Sequence, residues 1–212
     1  MAFNSSSVWT LRKVRQHKLD ADWATAVVPA VGGMWTWGFN ANGQLGDNTI
    51  IHKSSPIQVG SETTWKQMAQ NVGGVAAVKS DGTLWTWGEN GAGQLGDGTI
   101  IAKSSPLQIG SLTDWFQVAC GQASCLAIKT NGTLWAWGHG ADGQLGDGVG
   151  INRSSPFQIG SLTNWSSVAR GYQHSLAIKT DGTLWAWGSN TYGQCGNGIF
   201  GGNEIANPTQ IG

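Results

Sequence analysis

The same residues return every fifty positions. Trp37, Trp87, Trp137 and Trp187 are spaced by that interval, and so are Trp65, Trp115 and Trp165, and Pro56, Pro106 and Pro156. From Leu134 one unit reads LWAWGHGADGQLGDG, then SSPFQIGSLTNW, SSVARG and HSLAIKTDGT, before LWAWG recurs at Leu184. Self-similarity at a long fixed period restricts a chain to copies of one supersecondary unit, each burying its apolar face against the next. A helical heptad is far shorter than this period, which lies instead in the range of propeller blades.

Each unit parses into four strands. The surest pair is SLAIKT, then Asp181-Gly182, then TLWAWG. Asp-Gly between alternating apolar residues predicts a two-residue type I′ hairpin, because that turn needs positive φ at both central positions. On that register Ile178 faces Trp185 and Leu176 faces Trp187, both pairs on one sheet face. Asp81-Gly82 and Asn131-Gly132 repeat the arrangement. Trp165-Ser166-Ser167-Val168-Ala169 forms a third short strand. Pro156-Phe157-Gln158-Ile159 forms a fourth, its Pro suited to a strand start or edge. Only residues 8–20 carry a faint helical period.

Composition agrees with a compact all-β chain. Charged residues are 11% of the 212, with 33 Gly and 13 Trp but only 5 Pro. Disorder needs high charge and few aromatics, the reverse of this balance. Collagen's three-residue Gly period is missing, and no window approaches eighteen apolar residues, so neither a triple helix nor a membrane helix is expected. The net charge is zero, so no global field draws the chain towards nucleic acid or a membrane, and neither is expected as a partner. Residues 1–33 are nevertheless basic, with Arg12, Lys13, Arg15 and Lys18 against Asp20 and Asp22. Residues 1–21 are predicted to form a short basic arm that docks on a neighbouring protein chain, ahead of a four-repeat domain at 22–212. No apolar leader opens the sequence, so no secretory signal is expected. Three cysteines without metal spacing read as reduced thiols, in the cytosol or in a particle assembled there.

The pattern W-G-x-N-x-x-G-Q-L-G-D-G, then P-x-Q-I-G, then V-A-x-G-x-x-H-S-L-A-I-K-T-D-G, resembles the repeat of the regulator of chromosome condensation family. The resemblance runs over residues 34–212. It implies a β-propeller, usually of seven blades, in a family that has hosted nucleotide exchange on a small GTPase, chromatin binding and plain scaffolding. The wording DGTLWAWG and SSPxQIGSLT is similar to the near-identical repeats of bacterial and bacteriophage members. Fold alone does not assign function within such a family.

Four Trp-Gly loops and four P-x-Q-I-G strands are present, the last at Pro208–Gly212. Asp22-Trp23-Ala24-Thr25-Ala26-Val27 resembles the TDWxxVA strand in a shortened copy, and Val31-Gly32-Gly33-Met34-Trp35 resembles DGTLW. The expectation is a β-propeller of about four blades, one blade closed by N- and C-terminal strands. It forms either a four-bladed ring or an arc completed by another chain.

The chemical motifs are weighed against plain turn and core roles. Gly91-Ala92-Gly93-Gln94-Leu95-Gly96 spells a dinucleotide fingerprint, but it runs into Asp97-Gly98-Thr99 rather than a helix, so no nucleotide is expected. Asp47, Asp97 and Asp147 are oxygen ligands in type, yet each loop offers one carboxylate, or two with Asp142, where calcium wants six to eight oxygens. An Asp bonding its own turn fits better, and Asn197 takes that place in the fourth copy. His174, Ser175 and Asp181 are neighbours on one hairpin, whereas a triad converges from separate elements. By the family resemblance His174 is a structural residue hydrogen-bonding between strands. Cys195 replaces Leu45, Leu95 and Leu145 and reads as a small buried apolar group. The regularly placed Trp residues read as core, with carbohydrate stacking as their other use.

No catalytic, cofactor or metal residues are therefore expected. The function expected is that of a non-enzymatic structural or interaction propeller with protein partners in a multi-chain assembly, including a homo-oligomer. By resemblance its setting is a bacteriophage virion, as tail, fibre or capsid decoration, with Arg12, Lys13, Arg15 and Lys18 as interaction residues. Two alternatives belong to other classes: a glycan- or host-surface-binding module, and a regulator of a small GTPase or of chromatin.

Overall fold

The computed structural model describes residues 32–199, 201 and 204–212. Their regular structure is entirely β. Strands β1 (Trp35–Gly38) and β2 (Lys53–Gln58) pair antiparallel. Three four-stranded antiparallel sheets follow, each built in sequence order. The second blade holds β3 (Trp65–Gln70), β4 (Gly74–Lys79), β5 (Leu84–Gly88) and β6 (Lys103–Gln108). The third holds β7 (Trp115–Cys120), β8 (Ser124–Lys129), β9 (Leu134–Gly138) and β10 (Arg153–Gln158). The fourth holds β11 (Trp165–Arg170), β12 (His174–Lys179), β13 (Leu184–Gly188) and β14 (Ile205–Ile211). The four strands expected per repeat are thus present, and the β1–β2 pair is the outer half of a first blade.

The hairpin register differs from expectation by one residue. Lys179 N–H bonds the Thr183 carbonyl at 3.1 Å and Gly182 N–H bonds the Lys179 carbonyl at 2.9 Å, so three residues form the loop. Gly182 has φ +83°, while Asn48 is the one non-glycine with positive φ among the described residues. Asp181 therefore sits in a type I turn with Gly182 as the left-handed residue after it. Its carboxylate accepts from Thr183 N–H at 3.0 Å and Thr183 Oγ1–H at 2.6 Å, which rewards this conformation over a left-handed Asp. In consequence Ala177 faces Trp185 and Ser175 faces Trp187. The partners of each indole are small: Val75 and Ala77 in the second blade, Cys125 and Ala127 in the third. A Leu or Ile opposite each ring would leave it less room.

One face of each sheet carries the Trp residues and the other the Leu and Ile residues, and the core lies between successive blades. Val78, Leu84 and Ile109 of the second blade pack on Trp115, Cys125, Ala127 and Trp137 of the third. Leu126, Ile128, Leu134 and Leu145 of the third pack on Trp165, Ala177 and Trp187 of the fourth. Each blade also plugs its predecessor. Trp87 Nε1–H donates to the Gln44 carbonyl at 3.1 Å, Trp137 to that of Gln94 at 2.9 Å and Trp187 to that of Gln144 at 3.1 Å. The residue two beyond the Gln must be Gly, since a Cβ on Gly96 would lie 2.9 Å from the Trp137 ring. At the inner strands the Gln67 amide exchanges two bonds with Val118, and Gln117 does the same with Val168. Farther out, Gly98 N–H bonds the Ser154 carbonyl at 2.7 Å and Gly148 N–H that of Ala206 at 3.0 Å.

Two expectations about the ends are corrected. The last strand, β14, pairs with β13 inside its own blade, and the sheets do not close on one another. Among the described residues no blade is shared between the termini, because the fourth blade takes its outer strand from its own repeat. Trp37 was expected in the core with Trp87, Trp137 and Trp187. Those three are fully buried, whereas Trp37 is 62% exposed. Burial of this ring requires a preceding blade, and none stands against it among the described residues.

Candidate functional site

The loop after each Trp-Gly strand is a preorganised display. In the second blade Asn90 is fully buried; its Nδ2 donates to the Thr99 and Ile101 carbonyls at 3.1 and 3.2 Å and to Asp97 at 3.1 Å. Its Oδ1 accepts from Leu95 N–H at 3.0 Å. Asp97 in turn accepts from Thr99 N–H and Oγ1–H and pairs with Lys103 at 3.5 Å. Asn40 and Asp47 repeat this network, and in the fourth blade Asn190 and Asn197 retain its main bonds. The turn-organising role expected for the Asp residues is what they perform, with Asn197 accepting from Ile199 N–H at 3.1 Å in the same manner. Desolvation pushes the Asp97 carboxyl up, but hydrogen bonds from Thr99 and Asn90 and the Lys103 charge outweigh it and leave its pKa lowered. Asp47 and Asp147 are lowered by the same balance of burial and hydrogen bonding.

What these rigid loops present is apolar. Ile50 and Ile51, Ile100 and Ile101, Val149 and Ile151, and Ile199 are all exposed. Large side chains held in solvent at one position of every blade form a recurrent exposed apolar surface. The sequence contained this signal in Thr-Ile-Ile at 49–51 and 99–101, but the reading passed over it because no catalytic or metal chemistry attaches to isoleucine.

A second feature breaks the repeat. Cys120 and Cys125 face each other across β7 and β8, with Cα atoms 4.1 Å apart, and form a disulfide. The reduced-thiol expectation is corrected for this pair: a five-residue separation around a tight turn makes them cross-strand neighbours. Arg170 and Ser175 take the equivalent positions in the fourth blade. The Arg170 guanidinium donates to the Gln144 carbonyl at 2.7 Å and also to Ser175 Oγ and Ser124 Oγ. No carboxylate pairs with it among the described residues, and burial lowers its pKa to about 9. It bridges the third and fourth blades through neutral acceptors, a role the sequence reading missed. Its neighbourhood opens on a depression of about 590 Å³ lined by Asn71, Gln122, Arg170 and Tyr172 among others.

Other sequence candidates resolve individually. His174 lies with its ring over Gly171, where a Cβ would stand 2.1 Å from it, and no strand-bridging side-chain bond of His174 is present among the described residues. Its pKa is lowered by burial and by the Arg170 charge. Ser175 Oγ–H donates to the Gln144 carbonyl at 2.7 Å and Asp181 is spent on Thr183, so no triad assembles. Cys195 is buried, and burial raises its pKa, in keeping with a small apolar role. Trp115 and Trp135 sandwich the Lys129 ammonium at 4.8 and 4.3 Å, with Asp114 at 3.3 Å, and Lys79 and Lys179 sit likewise on Trp85 and Trp185, so the first Trp of β5, β9 and β13 is committed to its own blade. Arg12, Lys13, Arg15 and Lys18, and the whole arm at 1–21, lie outside the described residues.

The profile of the regulator of chromosome condensation (RCC1) repeat matches residues 31–73, 81–128, 131–178 and 181–212. The chain belongs to the RCC1 repeat family. A second profile of the same repeat matches residues 117–144 and 165–194. No curated protein matches the sequence. Among solved structures it is similar to human WBSCR16, at 26% identity and a TM-score of 0.76 over 85% of this chain and 48% of that one. It is also similar in fold to Prp20p from Saccharomyces cerevisiae, a protein described with its binding to Gsp1p and histones. There the identity is 24% and the TM-score 0.72, over 85% of this chain and 46% of that one. The chain thus spans about half the length of the RCC1-like propellers it matches.

Proposed function

We propose that this RCC1-repeat protein is a non-enzymatic interaction module that binds other proteins through the isoleucine-bearing loops of successive blades. The observation that carries this reading is the pairing of buried Asn40 and Asn90 with exposed Ile50–Ile51 and Ile100–Ile101. An apolar contact already held rigid loses little entropy on binding, which favours association. Protein binding by the structurally similar Prp20p is consistent with it. The setting we propose is a multi-chain bacteriophage assembly, as tail, fibre or capsid decoration. It is supported by the likeness of DGTLWAWG and SSPxQIGSLT to repeats of phage members. A photo-crosslinking residue at position 101 should capture discrete protein partners in producing cells, and one at exposed Gly60 should not. Equal capture at both positions would sink the surface; absence of the protein from purified particles would sink the setting.

A glycan-binding role draws on the exposed rings of Trp35 and Trp37. Glycan-array binding that disappears in Trp35→Ala would favour it. Exchange activity on a small GTPase is expected to be blank.

A further inference from the structure

We infer that the two open ends of the blade array are complementary and that a second copy of this chain docks on the first head to tail. The same interface is made three times within the chain, and one unmatched half of it stands at each end of the described blades. At the leading end Trp37, the counterpart of Trp87, Trp137 and Trp187, stands 62% exposed. Beside it in the same blade Ser54 and Pro56 are exposed. These are the counterparts of Ser104 and Ser154, whose carbonyls accept from the preceding blade, and of Pro156, which packs on Gly96.

At the trailing end the fourth blade repeats the receiving half. Gln194, Cys195 and Gly196 are the counterparts of Gln94, Leu95 and Gly96, but no indole enters the slot among the described residues. A Cβ on Gly196 would meet only Ile211 Cγ2 of its own blade, at 3.6 Å. Ile178 and Leu184 are 42% and 40% exposed, where Val78, Leu84, Ile128 and Leu134 are fully buried by the blade that follows. A docked copy would seat Trp37 under the Gln194 carbonyl, set Gly198 N–H towards the Ser54 carbonyl and cover Ile178 and Leu184. One element is lacking: Ser167 stands where Gln67 and Gln117 make the inner amide exchange. The contact between copies is therefore weaker than those inside the chain, and reversible. It is heterologous, since the two surfaces differ, and such contacts propagate into closed rings or open series. This surface is distinct from the isoleucine loops and stands whether or not they bind a partner.

The test is self-association of the full chain, measured by sedimentation and light scattering over a range of concentrations. Wild-type protein should exceed the 22.3 kDa of one chain, increasingly with concentration. Trp37→Ala should weaken association by about 30-fold or more, as loss of a central Trp anchor does. Gly196→Asn should block the slot from the other side. Asn tolerates the +67° φ at this position, and the fold there has room for it. Mixed one to one, the two variants should form a heterodimer and stop, using the slot of one and the Trp of the other. A wild-type chain that stays monomeric up to about 100 μM overturns the inference. So does a variant mixture that does not pair, because a face-to-face contact of like surfaces would then explain the mass.

Discussion

Replacing Trp137 by Ala should cost far more than replacing Trp37, although the two occupy the same place in the repeat. Trp137 is fully buried between the second and third blades, packs at 6.2 Å on Trp115, and donates its indole N–H to the Gln94 carbonyl at 2.9 Å. Truncating a buried aromatic side chain to Ala costs about 3–5 kcal/mol in lost transfer and cavity terms. The deserted Gln94 carbonyl adds about 1 kcal/mol where water does not reach it. Against a typical folding stability of about 5–15 kcal/mol that is a large fraction, equivalent to a melting shift of about 8–24 °C for a domain of this length. Trp37→Ala leaves no comparable cavity and should shift stability by about 1 kcal/mol or less, as surface substitutions do. Because blades are coupled mainly to their neighbours, the Trp137 variant should also split the unfolding transition in two. Calorimetry and denaturant unfolding, run dilute enough to separate the copies, decide the matter. Equal losses in the two variants, or a loss below about 1 kcal/mol at Trp137, would refute interblade burial as the source of stability.

Acid should loosen the display loops before it unfolds the sheets. The Asp47, Asp97 and Asp147 carboxyls have folded pKa values below the ordinary 3.8, so their stabilisation is complete above that value and is lost as pH falls through the lowered one. Melting temperature should therefore drop between pH 4 and the folded pKa, and Asp97→Asn should flatten the drop while keeping the turn, as Asn197 does; an unchanged slope in that variant contradicts the assignment. Reducing the Cys120–Cys125 bond should cost at most about 2 kcal/mol in the chain-entropy account of so short a loop. The turn is closed already by Gly121 N–H on the Ser124 carbonyl at 2.8 Å. Thiol titration of the native protein should find no reactive group before denaturation, one after it, and three after reduction; three without reductant would refute the pairing.

Periodicity carried most of the architecture. Four strands per repeat, their order in the sheet and the Asp-organised loops all follow from residues that recur at fixed spacing, and local interactions suffice to place them. Register did not follow, since Asp181-Gly182 satisfies two turn types and the choice rests on bonds from Thr183. The disulfide depends on that kind of detail, because Cys120 and Cys125 become partners only once the strand pairing is known. Arg170 escaped notice for a different reason: its partners Gln144 and Ser124 belong to another blade and are 26 and 46 residues away.

Burial in such a chain belongs to interfaces rather than to residues. Trp37 and Trp137 share their local sequence and strand position, yet one is in solvent and the other in the core: the second blade packs on Trp137, whereas no blade packs on Trp37 among the described residues. The fourth blade departs from the others at Ser167 in place of Gln117 and Arg170 in place of Cys120, and its Ile178 is exposed where the identical Ile128 is buried. The first weakens what the chain can offer a following blade, the second locks the third blade to the fourth, and the third leaves apolar surface open at the same edge. The first and third together give the trailing edge of the fourth blade an uncovered apolar face with no inner amide to bond it, which is what makes the proposed contact between copies reversible.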